Sequence, residues 1–111
     1  MAIVAQTKLG TALFTNYNAT GNSDVLQRAP THPLRISARL NTYQGANTAT
    51  ILIYGGEATT PTTLLATINL STSEPEEAFT IYAPYTYVMA TISAISSPAC
   101  NVSVIANALE E

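Results

Sequence analysis

Residues 33–40 read Pro-Leu-Arg-Ile-Ser-Ala-Arg-Leu, a pattern that leaves the backbone little choice. Leu34, Ile36, Ala38 and Leu40 take every second position, with Arg35, Ser37 and Arg39 between them. Only an extended strand, whose side chains point to opposite faces in turn, collects those four apolar groups on one side. Slipping the strand by one residue would turn the apolar set to solvent, so the alternation also fixes which face goes inward. The same stretch holds two of the four Lys and Arg residues in the chain. With Leu34, Ile36 and Leu40 in a core, Arg35 and Arg39 project together from the outer face, roughly 13 Å apart along the strand.

Period-two alternation recurs downstream. Ile51 and Ile53 oppose Leu52 and Tyr54 before Gly55-Gly56, which reads as a break. Leu64, Ala66, Ile68 and Leu70 share one face, with Thr67 and Asn69 on the other. Phe79 and Ile81 point in, Thr80 and Tyr82 out. Val88, Ala90, Ile92 and Ala94 alternate with Met89, Thr91 and Ser93, and Val102 and Val104 close the set. Upstream, residues 2–7, 11–17 and 24–28 read as short strands, interrupted at Gly10, at Asn18–Ser23 and at Pro30–Pro33. No helix is expected. Turn signals at Thr59–Thr63 and Ser71–Glu77 fall where hairpin or Greek-key connections belong.

About eight strands, spaced roughly 8 to 12 residues apart, predict an all-β fold. The expectation is a single antiparallel β-sandwich, jelly-roll or immunoglobulin-like, spanning residues 1–111. Parallel β/α folds need crossover helices, for which there is no sequence. Residues 1–22 read either as an N-terminal arm or as an edge-strand segment. The final Ala108–Glu111 reads as an acidic end that frays into solvent.

Composition narrows the partners. Only 10% of residues are charged, against roughly 25% in an ordinary soluble domain. Thr, Ser and Asn stand in their place, a surface suited to lasting contact with other proteins. With a net charge of −3 and a pI of about 4.9, no nucleic acid is expected as a partner, because that binding depends on neutralising phosphates. No stretch approaches the roughly 20 apolar residues of a membrane span, so no membrane contact is expected. The first residues carry neither the basic leader nor the apolar length of a signal peptide. Synthesis in a reducing cytoplasm is the expectation, and the sequons at Asn18, Asn69 and Asn101 then carry no meaning. The single cysteine, Cys100, is in register with Val102 and Val104 and reads as a buried apolar residue.

Catalysis needs a group that exchanges protons near neutral pH, or a poised nucleophile. His32, the one histidine, lies between Pro30 and Pro33 and reads as an exposed loop residue. Glu74, Glu76 and Glu77 lack the spacing of a calcium loop and read as a solvated turn. There is no phosphate loop, CxxC or HExxH. An enzyme is not expected, and neither is a cofactor or a metal. Two candidate surfaces remain. One is the arginine pair, Arg35 and Arg39, whose alternative role is simply to keep an outer face soluble. The other is Tyr82, Tyr85 and Tyr87 around Pro84, read either as interface residues or as rings capping the end of the sandwich.

From residue 48 onward the sequence resembles small β-sandwich virion proteins of tailed bacteriophages. A strand ends at Gly55-Gly56 and leads into Thr63-Leu-Leu-Ala-Thr-Ile-Asn-Leu70. Pro84-Tyr-Thr-Tyr-Val-Met-Ala90, Thr91-Ile-Ser-Ala-Ile-Ser96 and a final Val102-Ser-Val104 come after it. The resemblance implies a capsid decoration (cement) protein on the virion surface, binding and stabilising the major-capsid shell. It also implies a homo-oligomer, a dimer or a trimer, with the arginine face or the N-terminal segment as the clamp. A tail or fibre module, for virion assembly or host-glycan binding, is the alternative, with another virion protein as partner.

Overall fold

Alternating strands with one apolar face are stable only when two such faces meet, and two sheets meet here. The computed structural model describes residues 3–5, 11–27, 33–42, 47–82, 85–96 and 101–108. These hold ten strands and no helix. They are β1 (Ile3–Ala5), β2 (Thr11–Tyr17), β3 (Gly21–Asn22), β4 (Val25–Gln27), β5 (Leu34–Thr42), β6 (Thr48–Gly56), β7 (Thr63–Ser71), β8 (Glu76–Ile81), β9 (Tyr87–Ile95) and β10 (Asn101–Ala108). One sheet has the order β1-β4-β9-β6-β7, with β3 also on β9, and the other has the order β2-β10-β5-β8.

The pairing has a simple rule. Leaving aside β1 and β3, early strands pair with late ones: β2 with β10, β4 with β9, β5 with β8 and β6 with β7, all antiparallel. The β10–β5 and β9–β6 ladders then link these pairs into the two sheets. That is one long hairpin rolled into a sandwich, the jelly-roll arrangement. The one parallel pair among the described strands is β1 with β4. It departs from the wholly antiparallel expectation, and it places the described part of residues 1–5 on a sheet edge.

β3 and β4 act as one interrupted strand on β9. Between them the buried Ser23 donates its N–H to Ala90 O at 2.8 Å. Its hydroxyl accepts the Ala90 N–H at 2.9 Å and donates to Asp24 O at 2.8 Å. A side chain thus completes the ladder where the main chain bends away.

The core is the alternating set. Leu34, Ile36, Ala38 and Leu40 are buried against Ile51, Ile53, Ile68, Val88, Ile92, Val102 and Val104. Each large aliphatic group removed from water contributes about 1.5–3 kcal/mol, an upper bound because the unfolded chain is already partly collapsed.

Several expectations change, and most of the changes come from β-bulges. The β6–β7 register skips Leu65, so Leu64 is exposed and Leu65 packs on the core instead. The β6–β9 register shifts between Thr50 and Ile51, leaving Ser93 unpaired and turning Ala94 outward. In β2 the register skips Leu13, so Leu13 and Phe14, consecutive in sequence, are both buried. Each extra residue reverses the parity of the positions beyond it. Met89 differs for another reason. It lies on the outer face but is buried, beside Tyr54 and in a shallow hollow that Pro61 and Thr62 also line. Gly55 and Gly56 do not break the strand; β6 runs through both.

Gly55 is there for space. A Cβ on it would lie 2.7 Å from Leu65 Cδ1 and 3.2 Å from the ring of Tyr85. Leu65 and Tyr85 together fill the end of the sandwich over a residue without a side chain. Cys100, His32, Gly10, Pro30 and Pro84 lie outside the described residues, as does the end of the chain after Ala108. Gly55→Ala should overpack this end and lower unfolding stability by about 1–3 kcal/mol in a urea titration, with an unchanged slope.

Candidate interaction face

Strand parity puts the functional candidates on the outer face of the β2-β10-β5-β8 sheet. β5 is central there, with β10 on one side and β8 on the other. Its even-numbered apolar residues are buried, so Arg35 and Arg39 emerge exposed on the same outer face. Across the ladders, Arg39 stands opposite Glu76 and Ser103, and Arg35 opposite Thr80 and Asn107.

The two arginines are therefore not equivalent. Arg39 Nε lies 3.2 Å from Glu76 Oε1, with both side chains about two-thirds exposed, at 64% and 65%. Arg35 has uncharged cross-strand neighbours and no ion pair among the described residues. The acidic cluster also changes character. Glu76 and Glu77 begin β8 rather than lying in a turn, and Glu74 is in the preceding connection. That connection is closed by Glu74 N–H donating to Ser71 O at 3.2 Å and Ser71 N–H donating to Glu74 O at 3.1 Å. Pro75 O accepts the Leu40 N–H at 2.8 Å, extending the β5–β8 ladder by one bond.

Beside the ion pair, a polar network crosses three strands. The Asn41 amide donates to Asn16 Oδ1 at 2.6 Å and to Ser103 Oγ. The Asn16 N–H donates to the same hydroxyl at 3.0 Å. Asn16 has φ of 47°, the left-handed conformation that asparagine tolerates better than most residues. It sits at a second β2 bulge, where Thr15 and Asn16 together face Ser103. Asn41 is itself the residue skipped between the Asn101–Thr42 and Val102–Leu40 pairs. Sequence reasoning missed this network because Asn16 joins it at a bulge and because alternation does not tell that β2, β10 and β5 are neighbours.

The two arginines, Glu76, Asn41 and Ser103 help to line a shallow, open concavity of about 530 Å³. Arg35, Ser37, Arg39 and Asn41 form its floor from β5, with Glu76 and Ala78 on one side and Ser103 and Ile105 on the other. Its charges balance, two guanidiniums against Glu76 and Glu77, and Ile105 adds an exposed apolar patch. Such a surface can exchange hydrogen bonds and one unmatched cation with another macromolecule. Among the described residues, no group of three or more His, Cys, Asp or Glu side chains is placed to hold a metal ion.

The tyrosines separate. Tyr82 comes just after the end of β8 and is 79% exposed. It lies two residues beyond Thr80, the cross-strand neighbour of Arg35, at the same end of the sheet. Tyr85 packs against the core and over Gly55, in the capping position. Tyr87 opens β9, half-buried between Gly56 and Gln27.

No protein-family model and no curated protein matches the chain. Among solved structures, one similar chain comes from the disulfide-linked pili that form Bacillus endospore appendages. It is 17% identical, with 91% of this chain and 88% of that one aligned, at a TM-score of 0.44. A likeness at that level carries no argument about function.

Replacing Glu76 by Gln should cost less than about 1 kcal/mol of stability, as expected of an exposed ion pair. The difference should fade in about 1 M salt, where charges are screened within about 3 Å. Urea denaturation at low and high salt measures both.

Proposed function

We propose that this chain is a non-enzymatic structural protein of a bacteriophage virion. Its role is capsid decoration, binding and stabilising the major-capsid shell through the outer face of the β2-β10-β5-β8 sheet. The observation that carries this reading is that Arg35, without an ion-pair partner among the described residues, and Tyr82, 79% exposed, lie toward the same end of this sheet. Arg and Tyr are the residue types that most often dominate protein interfaces once desolvated. The resemblance of residues 48–108 to small phage virion sandwiches supports the choice of partner. A shell repeats one site many times, so a small oligomer gains avidity from modest individual contacts.

A second reading, a tail or fibre module recognising a host glycan, draws on Tyr82 alone. Sugar rings stack on exposed aromatics, and Tyr85, packed over Gly55, is not presented for that. Selective glycan binding lost in Tyr82→Ala would promote it.

Co-sedimentation with assembled shells tests the first reading. The wild-type chain should pellet with shells and ignore free capsid subunits. Arg35→Ala should fold normally and weaken attachment by about thirtyfold or more, since truncating a desolvated interface charge costs about 2–5 kcal/mol. Arg39→Ala should weaken it less, because Arg39 already spends its charge on Glu76. A chain that never pellets with shells ends this reading. Equal attachment by all three proteins returns both arginines to keeping the face soluble.

A further inference from the structure

A sandwich has four edge strands, and each open edge presents unpaired N–H and C=O groups that can recruit another strand. Three of the four edges here carry features that discourage this. β1 is three residues long. β2 is broken by two register shifts and carries Asn16 at positive φ. β8 brings Glu76 and Glu77 to its edge.

The fourth is different. β7 is nine residues long, contains no charge and no proline, and pairs only with β6 among the described strands. Its one irregularity is at Leu65, and Ser71 already exchanges main-chain hydrogen bonds with Glu74. That leaves Ala66–Leu70, a regular run of five residues, about 17 Å of open edge. Thr67 and Asn69 are exposed within that run. Leu64, 52% exposed, stands just before it.

We infer that this edge joins two copies of the chain, Ala66–Leu70 of one pairing antiparallel with the same run of the other. Charge decides the occupant. An uncharged strand meets its own copy without repulsion, whereas pairing with β8 of another copy would set Glu77 against a strand that has no charge to match it. Antiparallel self-pairing is also the closed, two-fold solution, in which the same patch serves both copies. With the axis near Ile68, Thr67 of one copy lies across from Asn69 of the other. Thr and Asn are side chains that hydrogen-bond across strands. Ile68 and Leu70 are already buried in the single copy. The contact therefore rests on main-chain hydrogen bonds, with Leu64 adding apolar area at each end. The six-stranded sheets of the two copies become one continuous sheet of twice that width. The inference does not depend on the virion reading, and its test uses the isolated chain without shells.

Sedimentation equilibrium of the full chain from about 10 μM to 1 mM spans the affinity expected of so small an interface. A monomer–dimer equilibrium is expected. A chain that stays monomeric, or forms trimers, overturns the inference. Thr67→Lys and Thr67→Glu place like charges near the axis and should each sediment as monomers. An equimolar mixture of the two should dimerise again. Persistent dimers in either single variant, or no recovery on mixing, overturn it. Amide exchange on the wild-type chain needs no variant. The edge-facing amides of Ala66–Leu70 should gain protection as concentration rises, and unchanged protection overturns the pairing.

Discussion

The register between β5 and β10 is the constraint on which the rest of the molecule depends. β10 lies between β2 and β5, and β5 between β10 and β8, so these two strands hold the four-stranded sheet together. Shifting either by one residue would turn its inward set, Leu34, Ile36 and Leu40 or Val102 and Val104, to solvent. Shifting β5 would also drive Arg35 and Arg39 into the apolar interior, where each unpaired charge costs several kcal/mol. The core and the outer face are thus specified by one choice. The arginines do not only occupy the outer face; they penalise every register that would bury it.

How far the fold was legible depends on what alternation encodes. Period-two patterning in residues 34–40, 51–54 and 102–104 tells which side chains go inward, and the buried set agrees; in residues 79–82 Ile81 is buried and Phe79 is half-buried against the core. It also tells that two sheets are needed, but not which strands are neighbours, because every apolar strand face looks alike in sequence. Alternation fails at the bulges. Nothing in Leu64-Leu65 says which leucine faces the core; that is decided by Gly55 across the ladder, whose missing side chain leaves room for Leu65. Ala94 fails for the same reason: one inserted residue reverses parity.

The candidate face was half legible. That Arg35 and Arg39 share it comes from spacing alone. That Arg39 meets Glu76 while Arg35 meets only Thr80 and Asn107 requires the β5–β8 and β5–β10 registers, which link residues far apart in sequence. An acidic run read as a solvated turn thus becomes the partner of a basic strand. In a chain where one residue in ten is charged, one internal ion pair removes a large share of what is left for recognition.

The position of β10 has a consequence for how the protein is made. Of the described strands, the last to leave the ribosome is an inner strand of its sheet, flanked by β2 and β5. Until residues 101–108 emerge, neither β2 nor the inner edge of β5 has its partner, although both are already synthesised. The nascent chain therefore carries open apolar strands while all the other described strands are being made, and closes its longest loop last. Such topologies fold slowly and expose sticky edges on the way. A chain interrupted anywhere before β10 would lose the strand that joins β2 to the rest of its sheet.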